Sequence, residues 1–259
     1  MSDVLVHRDG PVLHLTLNRP AQRNAMSIGM VQALREALTA AEADGQTRVV
    51  VLRGAGGHFC AGGDIRDMAA ARGDSAAIVQ LSAAFGDLCV AFSQTGLATV
   101  AVLEGTVMGG GFGLACVVDV ALAGESVAFR LPETSLGLSP AQIGPFLVER
   151  LGLSEARRLA VTGARLGGTE ALALRLVHEL HRDLALDAAL ARVLKDILQC
   201  APGAVAATKA LLARARLHTP ASLVHEAAEA FAAAVASDEG AEGTAAFVGK
   251  RPARWVPTP

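Results

Sequence analysis

Two glycine-rich turns, each directly behind an apolar run rich in β-branched residues, constrain this chain more than any other feature. Arg48-Val49-Val50-Val51-Leu52-Arg53 leads to Cys60-Ala61-Gly62-Gly63-Asp64, and Thr99-Val100-Ala101-Val102-Leu103 leads to Met108-Gly109-Gly110-Gly111-Phe112-Gly113. Strands that hand over to helices through such turns imply an α/β core. Turns without side chains leave backbone N–H groups bare, and two such donors converging on one point form an oxyanion hole for a thioester or acyl oxygen. Gly63 and Gly110 are the candidate donors, since each follows another glycine at a strand-to-helix transition where amides are unpaired. The alternative is that the glycines only permit tight packing or positive φ.

The flanking pattern agrees with alternation. Val4 to His7 and Val12 to Leu17 read as a β-hairpin, and Ser27 caps a helix over 28–43 with Met30, Val31, Leu34, Leu38 and Ala41 at helical spacing. A helix over 78–94 follows the first turn, and the second turn leads into a helix through Ala115 and Val117. Strands over 118–123 and 127–130 come next. Ser139-Pro140-Ala141-Gln142 reads as a capping box with Pro at the first helical position, starting a helix through Phe146, Leu147 and Leu151. Further helices begin near Ser154-Glu155 and Thr169-Glu170, with a short strand over 176–180. From about Asp183 the pattern is helical to Ser237. The chain thus divides into an α/β core over 1–183 that carries the acyl site and a helical region over 184–259.

Composition excludes several classes. The chain has 259 residues, 52% of them apolar, so it can bury a large core. A net charge of −2 with 3% aromatic residues gives neither the basic patches nor the stacking rings of a nucleic-acid surface. No signal-peptide layout and no uninterrupted apolar stretch of ~18 residues is present, so no membrane span is expected. Cys60, Cys89, Cys116 and Cys200 show no C-x-x-C spacing, which fits a reduced, cytoplasmic protein. His178 and His181 have only H-x-x-H spacing and read as loop or surface residues, and no metal is expected. The phosphate-loop, dinucleotide and G-x-S-x-G motifs are absent.

Glu133 follows Pro132 in a largely apolar stretch. A desolvated carboxyl there would have a raised pKa suited to moving a proton at carbon. The alternative is an ion pair with Arg130 or Arg157. Asp64 and Asp119 read as loop or cap residues held by hydrogen bonds.

Four segments, in order along the chain, resemble the crotonase (enoyl-CoA hydratase/isomerase) superfamily. Asn18-Arg19-Pro20-Ala21-Gln22-Arg23-Asn24-Ala25 is similar to its N-R-P-x-x-x-N-A, Phe59 to Ile65 to its first oxyanion segment, Gly105 to Gly111 to its second, and Ala246 to Pro252 to its C-terminal A-F-x-x-K-R-x-P. The resemblance implies a spiral of ββα units with a C-terminal helical lobe that drives trimers, often paired into hexamers. It implies a coenzyme A thioester substrate, with no tightly bound cofactor, whose carbonyl oxygen accepts from the Gly63 and Gly110 amides. The backbone at Arg23, Asn24 and Ala25 and at Ala61, Gly62, Asp64 and Ile65 would hold the coenzyme. Phe247 and Lys250, from a neighbouring subunit, would contact its adenosine phosphate end.

One position departs from the pattern. Two-glutamate hydratases of this family read G-G-G-x-E, and here that place is Gly113, while the second family glutamate is present as Glu133. The two-carboxylate route for adding water therefore does not transfer. Single-glutamate members include double-bond isomerases. The segments Gly109 to Leu114 and Pro132 to Phe146 are nonetheless similar to a bacterial branch that hydrates branched glutaconyl-CoA esters. A missing side chain at Gly113 would also enlarge the pocket for a branched acyl chain. The favoured expectation is hydration of a branched 2-enoyl-CoA, with an isomerase using Glu133 alone and a non-catalytic acyl-CoA-binding protein as the alternatives.

Overall fold

The computed structural model describes residues 2–70 and 73–257. Strands β1 (Val4–Asp9) and β2 (Val12–Leu17) pair antiparallel as a hairpin, with Val4 opposite Leu17 and a turn at Gly10, whose φ of +53° suits glycine. Helix α1 (Ile28–Ala43) follows, and its first turn is capped by Ser27, whose hydroxyl accepts from the Met30 amide at 3.1 Å. Met30, Val31, Leu34, Leu38 and Ala41 form its buried stripe, as the spacing predicts.

Strand β3 (Val49–Gly54) pairs parallel with β2, and β4 (Ala98–Leu103), buried along all six residues, lies beside β3. With β6 (Val120–Gly124) and β9 (Glu179–His181) they complete a six-stranded sheet in the order β1-β2-β3-β4-β6-β9. A second sheet contains β5 (Thr106–Met108), β7 (Ala128–Arg130) and β8 (Arg165–Gly167) in the order β5-β7-β8. The fold is mixed α/β, as expected. Helices α2 (Ile65–Ala70), α3 (Ser75–Gln94), α4 (Gly110–Val117), α5 (Gly144–Thr162) and α6 (Gly168–Ala173) intervene. α3 is, by length and composition, long and apolar enough to cross a membrane, although Ser82 and Asp87 interrupt its apolar run. Its Leu88, Cys89 and Phe92 are buried in the core.

The chain forms two compact units, one of residues 1–93 with 99–190, the other of 94–98 with 191–259. Helix α7 (Leu186–Gln199) crosses that boundary, and α8 (Pro202–Ala215), α9 (Val224–Ala236) and α10 (Asp238–Val248) make up most of the second unit. In that unit Glu239 accepts from the Gly203 and Ala204 amides at the start of α8, at 3.0 and 3.1 Å. Glu242 is buried and paired bidentately with Arg251 at 2.6 and 2.9 Å, which fixes the chain after α10.

Two local expectations are corrected. Ser139 does not cap a helix: α5 starts at Gly144, because the Gln142 side chain reaches Ser82 on α3 instead of returning to the Ser139 backbone. The last strand begins at Glu179 and not at Leu176, because the Arg150 guanidinium takes the Leu176 carbonyl at 3.0 and 3.2 Å and turns it out of strand geometry. Asp119 behaves as read, accepting from the Thr99 amide at 2.8 Å and the Thr99 hydroxyl at 2.9 Å.

Ser27 also donates to Asp3 at 2.6 Å, so it both caps α1 and ties it to the N-terminal segment. Ser27→Ala is expected to cost about 1 kcal/mol of stability, read as a lower urea midpoint with an unchanged denaturant slope.

Candidate active site

The two glycine turns are stitched together by main-chain hydrogen bonds. The Cys60 amide donates to Thr106 O and the Met108 amide donates to Cys60 O, both at 2.9 Å, a one-residue parallel bridge between the turns. On its other side the first turn pairs with Met26: the Met26 amide donates to Gly62 O at 2.7 Å, and the Asp64 amide to Met26 O at 2.9 Å. Gly62 has φ +98°, and a Cβ there would lie 3.2 Å from Met108 O, so both conformation and closeness demand glycine.

Peptide planarity then sets where the donors point. In a trans peptide the C=O and the following N–H face opposite ways. With Gly62 O held by Met26, the Gly63 N–H is turned away from that bond, and no acceptor for it is found among the described residues. Gly109 O accepts from the Gly113 amide at 3.0 Å along α4, so the Gly110 N–H projects from the helix N-terminus, where the first amides are unpaired and the dipole favours negative charge. Gly63, Gly110 and Glu133 line one cavity of about 270 Å³.

Glu133 opens a short 3-10 turn over 133–136, and its carbonyl accepts from the Leu138 amide at 2.9 Å. Its Oε2 is buried without a hydrogen-bond partner among the described residues. Burial pushes this carboxyl above the ordinary glutamate value, and its own amide offsets that only in part. Arg130 is turned elsewhere, donating to Gly163 O at 3.2 Å, and Glu133 forms no ion pair among the described residues. Oε1 lies 2.8 Å from where a Cβ on Gly109 would sit, so the bare backbone at Gly109 admits the carboxylate.

Gly113 corrects a further expectation. It does not enlarge the cavity, because Ile143 occupies the space its side chain would take, with Phe85 Cζ 3.6 Å from a Cβ built there. The wall at this point is therefore Ile143 and Phe85, both apolar. Met26, Val31, Ile78, Leu81 and Leu138 extend that apolar lining. Asp64, Asp67, Ser82 and Ser139 add polar groups to the lining, as does Gln142, which lies over Gly86, where a Cβ would stand 2.9 Å from its Cδ, and donates to Ser82 at 3.2 Å. Gln142 and Ile143 lie in the Pro132 to Phe146 segment whose wording resembles a bacterial branch, but their contacts with Ser82 and Gly113 join residues far apart in the sequence, and Phe85 lies outside every motif.

The remaining expected residues fall in two places. Arg23 and Asn24 have φ of +49° and +56°, and the Ala61 amide donates to Arg23 O at 3.0 Å, so the structure brings 23–25 and 61–65 together. The Asn24 side chain is wholly internal, accepting from Arg19 N and donating to Ala55 O and His58 O, so it is not free to meet a ligand. Arg19 ties Ala25 O at 2.6 Å to the Asp64 carboxylate at 2.7 Å, and Ile65 is exposed. Phe247, 86% exposed, and Lys250, with φ +50°, lie at the end of α10 in the helical unit.

A sequence model of the family described as enoyl-CoA hydratase/isomerase matches residues 7–257. The chain belongs to the enoyl-CoA hydratase/isomerase family. It is an enzyme of that family, and the non-catalytic alternative is set aside. Over 253 residues it is 33% identical to the 2,3-dehydroadipyl-CoA hydratase of Escherichia coli K12, covering 97% of each chain. It is 37% identical to 3-hydroxyisobutyryl-CoA hydrolase 1 of Arabidopsis thaliana over 74% of its own length, but spans only 52% of that protein. Among solved structures, AtuE of Pseudomonas aeruginosa superposes with a TM-score of 0.96 at 51% identity, covering 98% of this chain and all of that one. An enoyl-CoA hydratase/isomerase of Marinobacter aquaeolei does so at 0.96 and 46%, covering 99% and 100%.

Two outcomes are expected. Gly113→Ala drives a methyl into Ile143 and is expected to cost about 1–3 kcal/mol; combined with Ile143→Ala, the loss of stability should be smaller than the sum of the two single losses, and an additive double variant would show that the two positions are not in contact. The raised Glu133 carboxyl means that ionising it costs the folded state, a cost that sets in as pH rises from the ordinary carboxylate value through the folded one. Glu133→Gln should therefore melt higher than the parent at neutral pH and level with it near about pH 4. Equal melting at both would show that the carboxylate is not desolvated.

Proposed function

We propose that this enzyme hydrates a branched 2-enoyl-CoA thioester to the 3-hydroxyacyl-CoA. The observation that carries the reading is the meeting of two unpaired amides, Gly63 and Gly110, with the unpartnered Glu133 carboxyl in one apolar cavity. The thioester oxygen accepts from both amides, which polarises the conjugated double bond. The Glu133 carboxylate takes a proton from water as the water oxygen bonds to C3. The π electron pair moves onto the thioester as an enolate held by the two amides, and the proton on Glu133 then passes to C2. One carboxyl serves both transfers because Ile143 fills the space of a second. Gln142, a polar group on the cavity wall, helps to hold the water.

In this reading the backbone at 23–25 and 61–65 holds the coenzyme, which is part of the substrate and not a resident cofactor. Phe247 and Lys250 of a neighbouring copy meet its adenosine phosphate end in a trimer or a pair of trimers. Exposed Leu212, Leu217, Phe231, Val235 and Val248 in the helical unit support self-association. The full-length likeness to a protein named as a hydratase supports water addition, and the apolar walls support a branched hydrocarbon chain. A second reading, double-bond isomerisation, is favoured by the same single carboxyl: Glu133 would remove a proton at C4 or C2 and return it at the other carbon.

Incubation with a panel of 2-enoyl-CoA esters in ¹⁸O-water separates them. A 3-hydroxy product carrying label is expected, and unlabelled product with a shifted double bond would establish the isomerase. Glu133→Gln should lose turnover by about 10²–10⁴-fold while still binding acyl-CoA.

A further inference from the structure

We propose that Ser82 and Gln142 together seat the attacking water, in place of the second carboxylate whose space Ile143 fills. The proposal deepens the hydration reading above and rests on it. Ser82, Phe85 and Gly86 are three and four residues apart on α3, so they share one face of that helix. This face meets the segment before α5. Gln142 donates to Ser82 Oγ at 3.2 Å, and its side chain lies over Gly86, where a Cβ would stand 2.9 Å from its Cδ. Glycine at 86 is what lets the amide lie against the helix beside Ser82.

The neighbours of the pair fix where it sits. Phe85 Cζ is 3.2 Å from a Cβ built on Gly110 and 3.6 Å from one built on Gly113, and Ile143, the residue after Gln142, packs on the same Gly113. The pair is therefore one helical turn or one residue from the groups that wall the Gly110 amide and the place from which a side chain at 113 would project. Ser82, Gln142 and Glu133 line the same cavity.

The hydrogen bonds of the pair are incomplete. Ser82 Oγ accepts from Gln142, but its own proton has no acceptor among the described residues, and Gln142 Oε1 has no donor there. Both residues are half-buried, and a hydrocarbon chain packed on them would leave these groups unpaired at a cost. A water molecule completes both, since it accepts and donates. In this seat the water accepts from the Ser82 hydroxyl with one lone pair and gives one hydrogen to Gln142 Oε1. Its other hydrogen passes to the Glu133 carboxylate as its second lone pair bonds to C3, and the π pair moves onto the thioester. Ser82 and Gln142 neither gain nor lose a proton, so they orient the water and leave the proton transfers to Glu133.

Two rates on the full-length protein test this. One is hydration, as kcat and KM, of whichever 2-enoyl-CoA ester of the panel above reacts fastest. The other is deuterium entry at C2 of the corresponding saturated ester in D₂O. Both need Glu133 and the carbonyl-binding amides, but only hydration needs a seated water. In Ser82→Ala and in Gln142→Leu, kcat for hydration should fall about tenfold or more, with KM and C2 exchange within about threefold of the parent. If either variant folds and keeps the parent's hydration kcat, or loses hydration and exchange in step, the seat is overturned while the hydration reading stands. If the parent itself shifts a double bond without adding water, or adds water without exchanging C2, the single-carboxylate hydration reading fails and the proposal with it.

Discussion

The Cys60–Val107 bridge is the interaction on which the site depends. Two main-chain hydrogen bonds of 2.9 Å hold a turn that follows β3 against the strand β5 that leads into α4. Because Met26 fixes Gly62 O from the other side, the orientation of the Gly63 amide is set by its neighbours and not by a ligand. The Gly110 amide is set by helix geometry, as the leading residue of α4. In the reaction proposed above, donors placed in this way need no reorganisation when charge develops on a thioester oxygen, which is what makes preorganised amides effective in a dry cavity.

Three carboxylates line the cavity, and two of them are engaged: Asp64 with Arg19 and Asp67 with the Ile28 amide. Glu133 is held without an ion partner, so its carboxyl is destabilised as an anion and suited to accept a proton. The facing wall is Ile143 and Phe85, and Gly113 exists there because Ile143 leaves no space for a side chain. The loss of a second carboxylate is thus matched by a packed apolar residue and not by an opening. Gly86 does the same for Gln142, giving the cavity one amide side chain where α3 and the segment before α5 meet.

Much of this was legible in the sequence, for identifiable reasons. The buried runs at β3 and β4 and the helical spacing of α1 reflect burial patterns that any fold must respect. Glycines 62, 63, 109 and 110 are legible because glycine-rich turns behind apolar runs mark bare backbone, the group proposed to bind the substrate. The misread parts depend on contacts distant in sequence. Ser139 to Gln142 has the local grammar of a helix start, but Ser82 competes for the Gln142 side chain. Leu176 and Val177 have strand composition, but Arg150 claims the carbonyl. Gly113 looked like a vacancy because Ile143, thirty residues on, could not be placed against it from one dimension.

The most direct test of the central claim is the ¹³C resonance of a saturated branched acyl-CoA labelled at the thioester carbon and bound to the full-length protein, where no turnover can occur. Two converging amide donors predict a resonance clearly downfield of that of the free thioester in water. A bound resonance at the free position would contradict the assignment of Gly63 and Gly110 as its donors.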